Sequence, residues 1–492
     1  MDNQFPLPGP VTPETPTETA PLPTPEEAAP PPPSYQPPAS SEAPVVKPSP
    51  LKIILPILGG LLVIGLIVFG VTKLLGNKTG TSPTTPTQTV TLTYYGLWEN
   101  SAVMKPVIDA FEKENPTIKI SYQLQSPQDY QDRVKTALES QNSPDLVRLH
   151  STWLPIFAKD LFPAPANSVS STEISTNFYP IVSKTLVAGT QVYGVPMTME
   201  GLALYVNTAM FQQKSLQLPK TWEDVLTAAK ALKEVDPLTG KVTRAGIALG
   251  NTTNVEHWSD IVSLMLLQAG VKLSNPQGSE VLATLQYYTD FINKHHVWDD
   301  TLPLSSVAFA NEKVAMIIAP SYRAAEIKTM NPSLAWQTVS VPQLPDSDTV
   351  NWTSFWFEGV SKNSKHPQEA WKFLSFLASA KAQQLLFDAA TTEREFPQPP
   401  ANKAAASVAQ SNATIAPYIT SLDTSRTFYT AGNTRDSKTA LNSRLIKYLE
   451  DAVNSISQNQ DTAKAVDTLN SGFAQVLSQY GLVAAPTATP NP

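Results

Sequence analysis

The chain has 492 residues, which is more than a single domain usually needs. Its formal net charge of −7 argues against a nucleic-acid-binding protein, because such a protein needs a basic surface. The sequence contains no cysteine, which excludes disulfides, thiolate catalysis, cysteine-ligated zinc and a lipid anchor on a cysteine.

Two segments at the start of the chain differ sharply in composition. Residues 1–50 are rich in proline and have little to bury, so we expect a disordered tail. Ile53 to Thr72 carry no charge, and a helix of twenty residues is about 30 Å long, the thickness of the hydrocarbon core of a bilayer. This pattern predicts a transmembrane anchor within 51–75. A cleaved signal peptide is disfavoured, because a long acidic segment precedes the apolar run and the run is too long.

The lysines that flank the predicted anchor do not fix its orientation. Lys47 and Lys52 precede it, and Lys73 and Lys78 follow it, so the positive charges are equal on the two sides. Residues 76–89 are rich in glycine, serine, threonine and proline, which is typical of a flexible linker.

The folded part is predicted to span 90–482. Patterns of strand, helix, strand, helix and strand follow one another up to Leu149, and the second helix is predicted to start at Ser126-Pro127. This order is typical of a doubly wound α/β sheet, in which ligands bind beyond the carboxyl ends of the strands. The residues just past these predicted strand ends include Trp98, Glu99, Asn100, His150, Thr152 and Trp153.

A second block with the same α/β pattern follows. It opens with a helix start that resembles a capping box, formed by Thr221 and Asp224. Two long predicted helices, about Ser437 to Ile456 and Asp461 to Tyr480, complete the fold. Residues 483–492 are a second tail, rich in proline, alanine and threonine.

Between the two blocks lies the stretch Tyr193 to Phe211, which reads YGVPMTMEGLALYVNTAMF. Gly194 and Pro196 are a turn signal, and the apolar run after them predicts a buried strand that crosses from one block to the other. Glu200 lies at the start of this run, where a polar side chain would face the gap between the blocks. The alternative is an ordinary core strand whose glutamate points to solvent.

This stretch, with the PKTWE that begins at Pro219, resembles the hinge region of the family 1 extracellular solute-binding proteins, the sugar-type binding subunits of ABC importers. Further segments resemble the same family in the same order, namely FEKENPTIKI, NSPDLVRL, NEKVAMIIAPSY and SKNSKHPQEAWKFLSFLAS. The resemblance covers nearly all of Val90 to Tyr480. It departs from the family pattern at Leu149 and Tyr322, which stand where tryptophans are expected.

The resemblance implies two α/β lobes that close about a hinge on a ligand in the cleft between them. It implies a small-molecule solute, a sugar, as the ligand and ABC transporter permease subunits as partners, with no cofactor. Together with the predicted anchor, it implies a single-pass protein of the cell membrane whose tail is cytoplasmic and whose binding domain is extracellular. Glu200 falls on a ligand-contacting glutamate of the family, and the crossings between lobes are expected near Met199, Trp356 and Phe396.

Many aromatic residues fall in predicted loops or at strand ends, where flat rings can pack on the apolar faces of sugars. They are Trp98, Trp153, Tyr322, Trp352, Phe355, Trp356, Phe428 and Tyr429. The predicted partners for sugar hydroxyls and other polar groups are Glu99, Asn100, His150, Thr152, Glu200 and Arg323. For each aromatic ring, core packing is the alternative role.

The sequence has no catalytic signature, neither G-x-S-x-G nor H-E-x-x-H, and its five histidines show no metal-binding spacing. We therefore predict a binding protein rather than an enzyme. The competing class is a cell-surface glycan-processing enzyme or a glycan-binding adhesin. An enzyme of that kind would need a pair of carboxylates at glycosidase separation, and an adhesin would need an open groove.

Overall fold

The computed structural model describes residues 89–484. The predicted tail at 1–50, the predicted transmembrane anchor at 51–75, most of the predicted linker and most of 483–492 lie outside the described residues. Between residues 89 and 484, no helix is both long enough and apolar enough to cross a membrane.

The described residues alternate between strands and helices, as the sequence predicts. The strands are β1 (Val90–Gly96), β2 (Ile118–Leu124), β3 (Leu146–His150), β4 (Val187–Ala188), β5 (Gln191–Val192), β6 (Val195–Pro196), β7 (Glu200–Asn207), β8 (Glu234–Val235), β9 (Val242–Ile247), β10 (Val314–Pro320), β11 (Trp336–Val339), β12 (Asn351–Ser354), β13 (Trp356–Val360) and β14 (Ser425–Arg426). The helices are α1 (Ser101–Glu114), α2 (Tyr130–Glu139), α3 (Leu154–Phe157), α4 (Ser171–Asn177), α5 (Pro180–Leu186), α6 (Thr208–Gln213), α7 (Trp222–Leu232), α8 (Trp258–Gln268), α9 (Ser279–Asn293), α10 (Ser305–Ala310), α11 (Tyr322–Met330), α12 (Pro367–Leu377), α13 (Ala380–Glu393), α14 (Lys403–Ala409), α15 (Ala416–Ser421), α16 (Leu441–Ser457) and α17 (Thr462–Gln479).

The first lobe is built on a five-stranded sheet with the order β2-β1-β3-β13-β6. Strand β1 pairs in parallel with β2 and β3, as expected for a doubly wound sheet, whereas β13 runs antiparallel between β3 and β6. Helices α1 and α12 bury Phe111 and Trp371 in the same core as Leu92 and Tyr94 of β1. The strand ends of β1 and β3 therefore lie on a rigid, packed layer.

The second lobe is built on a seven-stranded sheet with the order β14-β12-β7-β10-β9-β8, and β11 also pairs with β7. Strand β7 is its centre, since its first two residues pair with β12 and Leu202 to Val206 pair with β10. Every residue of this apolar run is buried, as is typical of a strand covered on both faces. The crossing strand predicted at this place is thus confirmed as a buried element.

The chain crosses between the lobes at Met199, at Phe355 and after Leu422. The first two crossings lie where the sequence predicts them, whereas the third lies after Leu422 and not near Phe396. The ring of Phe396 does pack against the core of the second lobe, but the chain then returns to the first core at Ala401 through α14 and α15. It crosses for the last time on the way to β14, which pairs with β12 beside the hinge.

One predicted helix start is confirmed and another is shifted. Thr221 Oγ1 accepts a hydrogen bond from the backbone N–H of Asp224 at 3.1 Å, and the Asp224 carboxylate accepts one from the N–H of Thr221 at 2.9 Å, which completes the capping box. Helix α2 begins at Tyr130 rather than at Ser126, because Ser126 caps a turn instead. Asp129, with a left-handed φ of 50°, separates that turn from the helix.

Candidate functional site

A cavity of about 220 Å³ lies between the two lobes. It is lined by Trp98, Glu200, Tyr322, Arg323, Glu326, Trp356, Gln398, Asn433 and Arg435. Trp98 follows β1 and Trp356 begins β13 in the first lobe, whereas α11 of the second lobe supplies Tyr322, Arg323 and Glu326. Five of these residues are ligand contacts predicted from the sequence, namely Trp98, Glu200, Tyr322, Arg323 and Trp356.

Two tryptophans form the wall that the first lobe contributes. The rings of Trp98 and Trp356 meet edge to face, with centroids 5.7 Å apart. Trp356 is only 5% exposed and is held from behind by edge contacts with His150 and Trp153, whereas Trp98 is 38% exposed. The wall is therefore a supported aromatic surface with one partly exposed ring that a ligand can reach.

Glu200 places a carboxyl group on the cavity wall at the first residue of β7. Its backbone carbonyl accepts a hydrogen bond from Thr353 Oγ1 at 3.0 Å, which fixes the residue at the hinge. Within residues 89–484, no side chain or backbone N–H donates a hydrogen bond to its carboxylate. Burial raises the pKa of Glu200 from 4.5 to about 7, because removing a charged carboxylate from water is unfavourable. This group can therefore exchange hydrogen bonds with a ligand, as acceptor or as donor.

Arg323 is held by the second lobe itself. Its guanidinium forms ion pairs with Glu256 at 2.8 Å and with Glu326 at 2.5 Å, and its Nε donates to His257 Nε2 at 3.2 Å. The same guanidinium lies 5.4 Å from the ring centroid of Tyr322. Arg323 thus stiffens the tyrosine side of the cavity, and its single charge is already paired with two carboxylates.

Asp260 anchors the loop that closes the cavity on the side of the second lobe. It accepts hydrogen bonds from the backbone N–H of Gly432 at 3.0 Å and from the indole N–H of Trp352 at 2.8 Å. The next residue, Asn433, donates from its side chain to the Tyr322 hydroxyl at 3.1 Å. Trp352, predicted as a ligand contact, is 2% exposed and does not line the cavity, because β12 buries it and Asp260 takes its N–H.

Two predicted contacts at the end of β1 serve the fold instead of the cavity. Glu99 is 3% exposed, and both its carboxylate oxygens accept hydrogen bonds from Arg394, at 2.9 and 3.1 Å. Asn100 caps α1, since its side-chain oxygen accepts a hydrogen bond from the N–H of Val103 at 2.9 Å. Both side chains are therefore already bonded within the protein.

His150, Thr152 and Trp153, predicted as ligand contacts after β3, are all buried behind the aromatic wall. Burial lowers the pKa of His150 to about 3, so its ring is neutral, and its Nδ1 lies 2.7 Å from Thr152 Oγ1. The Nδ2 of Asn442, at the start of α16 in the second lobe, donates to Thr152 Oγ1 at 2.9 Å. This segment ties the lobes together rather than lining the cavity.

The remaining predicted aromatic contacts also lie elsewhere. Phe355 is fully buried in the first core, because the crossing from β12 to β13 turns its ring inward. Phe428 and Tyr429 line a different and larger space of about 670 Å³. The ring of Phe428 stacks on Phe473 of α17, with centroids 6.2 Å apart.

Four lining residues were not predicted from the sequence: Glu326, Gln398, Asn433 and Arg435. Glu326 lies one helical turn after Tyr322, so a helix assigned to this segment would have placed both on one face. Gly432-Asn433 is the kind of pair that marks a turn, although it does not reveal where the turn points. Gln398 stands in a proline-rich segment without a periodic pattern.

The cavity is suited to noncovalent binding of a small polar molecule that has an apolar face. Aromatic rings cover one side, and a free carboxyl and two carboxamides offer hydrogen bonds on the others. Among residues 89–484, no three or more His, Cys, Asp or Glu side chains are grouped so that they would hold a metal ion.

A family model described as bacterial extracellular solute-binding protein matches residues 97–384. The multiple sugar-binding protein of Streptococcus mutans is 26% identical to the chain over 323 residues, which are 61% of this chain and 73% of that protein. A putative binding protein of Brucella abortus is 23% identical over 286 residues, which are 54% of this chain and 66% of that protein.

Solved structures share the fold at low sequence identity. The sugar-binding protein MalE from Xanthomonas citri has a TM-score of 0.64 and 18% identity, with 79% of this chain and 98% of that chain covered. An ABC transporter solute-binding protein from Thermotoga lettingae, bound with alpha-D-tagatose, has a TM-score of 0.60 and 21% identity, with 79% of this chain and 100% of that chain covered. The two-lobed α/β fold predicted for the folded part of the chain is thereby confirmed.

Proposed function

The chain belongs to the family of bacterial extracellular solute-binding proteins, and we propose that it binds a sugar and delivers it to an ABC importer. Proteins of this family bind solutes and are not enzymes, so a glycan-processing enzyme is excluded. The name of the Streptococcus mutans relative and the tagatose bound to the Thermotoga lettingae protein support a sugar as the ligand class.

The observation that carries the proposal is the cavity between the lobes. Trp98, Trp356 and Tyr322 offer aromatic faces for the apolar side of a sugar ring, and Glu200 offers an unpartnered carboxyl for its hydroxyls. Because both lobes contribute side chains, a ligand that contacts all of them favours the closed arrangement of the lobes. Permease subunits would then recognise the closed form.

A thermal-shift screen of the full chain against mono- and oligosaccharides tests the ligand class. A sugar that binds only the native state raises its stability by about 2.7 kcal/mol at a hundred times its dissociation constant. Free amino acids and short peptides serve as controls of another solute class. Stabilisation by a control compound, with none by any saccharide, would refute a sugar as the ligand.

We propose further that Ile53 to Thr72 anchor the protein in the cell membrane, with the tail at 1–50 in the cytoplasm and the binding domain outside. The charge-free run of twenty residues supports this anchor. Protease added to intact cells should release the binding domain by cleavage within 76–89 and spare the tail until the cells are permeabilised. A mature protein that starts near Asn77 in the culture medium would contradict it.

A further inference from the structure

The two arginines of the cavity differ in what surrounds them. Arg323 already has two carboxylate partners, Glu256 and Glu326. Arg435 has no acidic partner among residues 89–484, and its guanidinium carbon lies 5.7 Å from the ring centroid of Trp98. The cavity therefore contains one cationic group, Arg435, that has no ion-pair partner among the described residues.

The backbone around Arg435 is held in an unusual conformation. Arg435 has a φ of 60° and Asn433 a φ of 56°, and Trp98 on the facing lobe has a φ of 74°. Residues other than glycine seldom adopt this left-handed region, and where they do the surrounding structure must enforce it, often at a binding site. Asp436 helps to enforce it, because its carboxylate accepts a hydrogen bond from the N–H of Ser443 at 3.0 Å.

The position of Arg435 suits recognition of a planar anion. An arginine that lies over an aromatic ring keeps the N–H donors in the plane of its guanidinium, and two of them can bind both oxygens of one carboxylate. Trp98 holds the guanidinium by a cation–π contact and is itself part of the aromatic wall. A carboxylate bound to Arg435 would thus belong to a molecule that lies on the tryptophans.

The two acidic groups that line the cavity, Glu200 and Glu326, are each partly neutralised. Glu326 is already paired with Arg323. The pKa of Glu200 is raised by burial to about 7, so near neutral pH this group is neutral for much of the time and can donate a hydrogen bond. Hydroxyl groups of a ligand can meet Glu200 while an acidic group meets Arg435.

We propose that the ligand is an acidic monosaccharide, a single sugar ring that bears one carboxylate, and that Arg435 binds this carboxylate. The proposal rests on the proposed function, since it names the class of sugar. The cavity of about 220 Å³ is smaller than the roughly 300–1,000 Å³ of sites for drug-sized ligands, which suits one ring. One guanidinium without an ion-pair partner matches one carboxylate better than a phosphate ester, which carries nearly two charges at neutral pH.

Isothermal calorimetry on the full chain in detergent tests the proposal with two matched pairs of sugars. D-Galacturonate is compared with D-galactose, and D-glucuronate with D-glucose, because the members of each pair differ only at C6. We expect at least one uronate to bind roughly ten- to a hundredfold more tightly than its neutral partner, as a charge-assisted pair would allow. The variant Arg435→Gln should abolish most of this preference, and Arg435→Lys should keep part of it.

Arg444→Gln is the matched control, because Arg444 lies on α16 and bonds to Gln479 outside the cavity. It should leave the preference for the uronate unchanged. Equal binding of uronates and neutral hexoses, tighter binding of D-glucosamine, or a uronate preference that survives in Arg435→Gln would overturn the acidic-sugar proposal and leave sugar binding intact. Absence of binding by every neutral, acidic and amino saccharide would overturn sugar binding as well. If Arg435→Gln fails to fold, the affinities of the wild type for uronates and for neutral hexoses still test the proposal.

Discussion

Glu99, which is buried, and Glu200, which is partly buried, are carboxylates at the junction of the lobes, but they differ in their partners. Both oxygens of Glu99 accept hydrogen bonds from Arg394, so its charge is balanced inside the protein. Glu200 has no such partner within the described residues, and burial raises its pKa to about 7. A side chain that the fold leaves without a partner is available to a ligand, whereas one already bonded is not.

The first prediction at the scale of the residue concerns ligand affinity. Glu200→Ala removes the only free carboxyl that the described residues place on the cavity wall. Since a hydrogen bond to a charged group contributes about 1.5–3 kcal/mol, we expect sugar affinity, measured above pH 7 where Glu200 is mostly ionised, to fall roughly ten- to a hundredfold. Calorimetry with the same sugar on both proteins measures this. Equal dissociation constants would mean that Glu200 points away from the ligand.

The second prediction concerns stability and pH. Because the pKa of Glu200 is raised from 4.5 to about 7 in the folded protein, the folded state keeps this proton where the unfolded chain has released it. The stability of the ligand-free wild type, relative to Glu200→Gln, should therefore fall as the pH rises from about 4.5 to 7. The expected change is on the order of 1–3 kcal/mol, after allowance for partial exposure.

Denaturation midpoints of both proteins across this pH range measure the effect. The glutamine keeps the shape of the side chain and does not titrate. The contributions of all other ionisable groups to the pH dependence of stability therefore cancel when the two proteins are compared. Parallel pH profiles would show that Glu200 is fully hydrated in the folded protein.

At the scale of the element, the pairing of β3 with β13 contains a buried ion pair. Arg148 and Glu358 stand directly opposite each other in the register, with Arg148 Nε 2.7 Å from Glu358 Oε1. Their side chains are 5% and 1% exposed, and Arg148 also donates to the backbone carbonyl of Leu97 at 2.6 Å. The pair therefore links three segments near the strand ends that support the aromatic wall.

Removing one member of this pair should lower the free energy of unfolding more than removing both. Glu358→Ala leaves the Arg148 charge buried without its carboxylate, and we expect a loss of about 3–5 kcal/mol in the free energy of unfolding. The double variant Arg148→Met, Glu358→Leu replaces the pair with apolar groups and should be clearly more stable than Glu358→Ala. Urea denaturation measures both. A single variant as stable as the wild type would contradict a buried, mutually dependent pair.

The periodic elements were accessible from the sequence, and the cavity was accessible only in part. The apolar run after Glu200 predicted β7, because a strand buried on both faces needs no polar residue. The same reasoning could not distinguish Trp356, which reaches the cavity, from Phe355 beside it, which turns into the core. Arg435 was missed because a left-handed turn in an irregular segment leaves no periodic pattern.

At the scale of the whole molecule, the lobes meet through few segments. Three crossings of the chain join them near β7, β12 and β14, and Asn442 of the second lobe bonds to Thr152 of the first. The sequence predicted two lobes and a hinge but not this contact, since a hydrogen bond between residues 290 positions apart leaves no local signal. A few hinge segments with a cavity between two independent cores are what closure on a ligand requires.

The last prediction follows from this arrangement. A bound sugar would contact Trp98 and Trp356 of one lobe and Glu200 and Tyr322 of the other. It stabilises the closed arrangement because only there can it contact both lobes at once. Solution scattering of the protease-released binding domain should therefore show a smaller radius of gyration at saturating sugar than without it. The control is Glu200→Ala at the same sugar concentration, which is chosen to lie below the dissociation constant of this variant. The variant should then stay expanded. An unchanged radius in the saturated wild type would show that the sugar binds without moving the lobes.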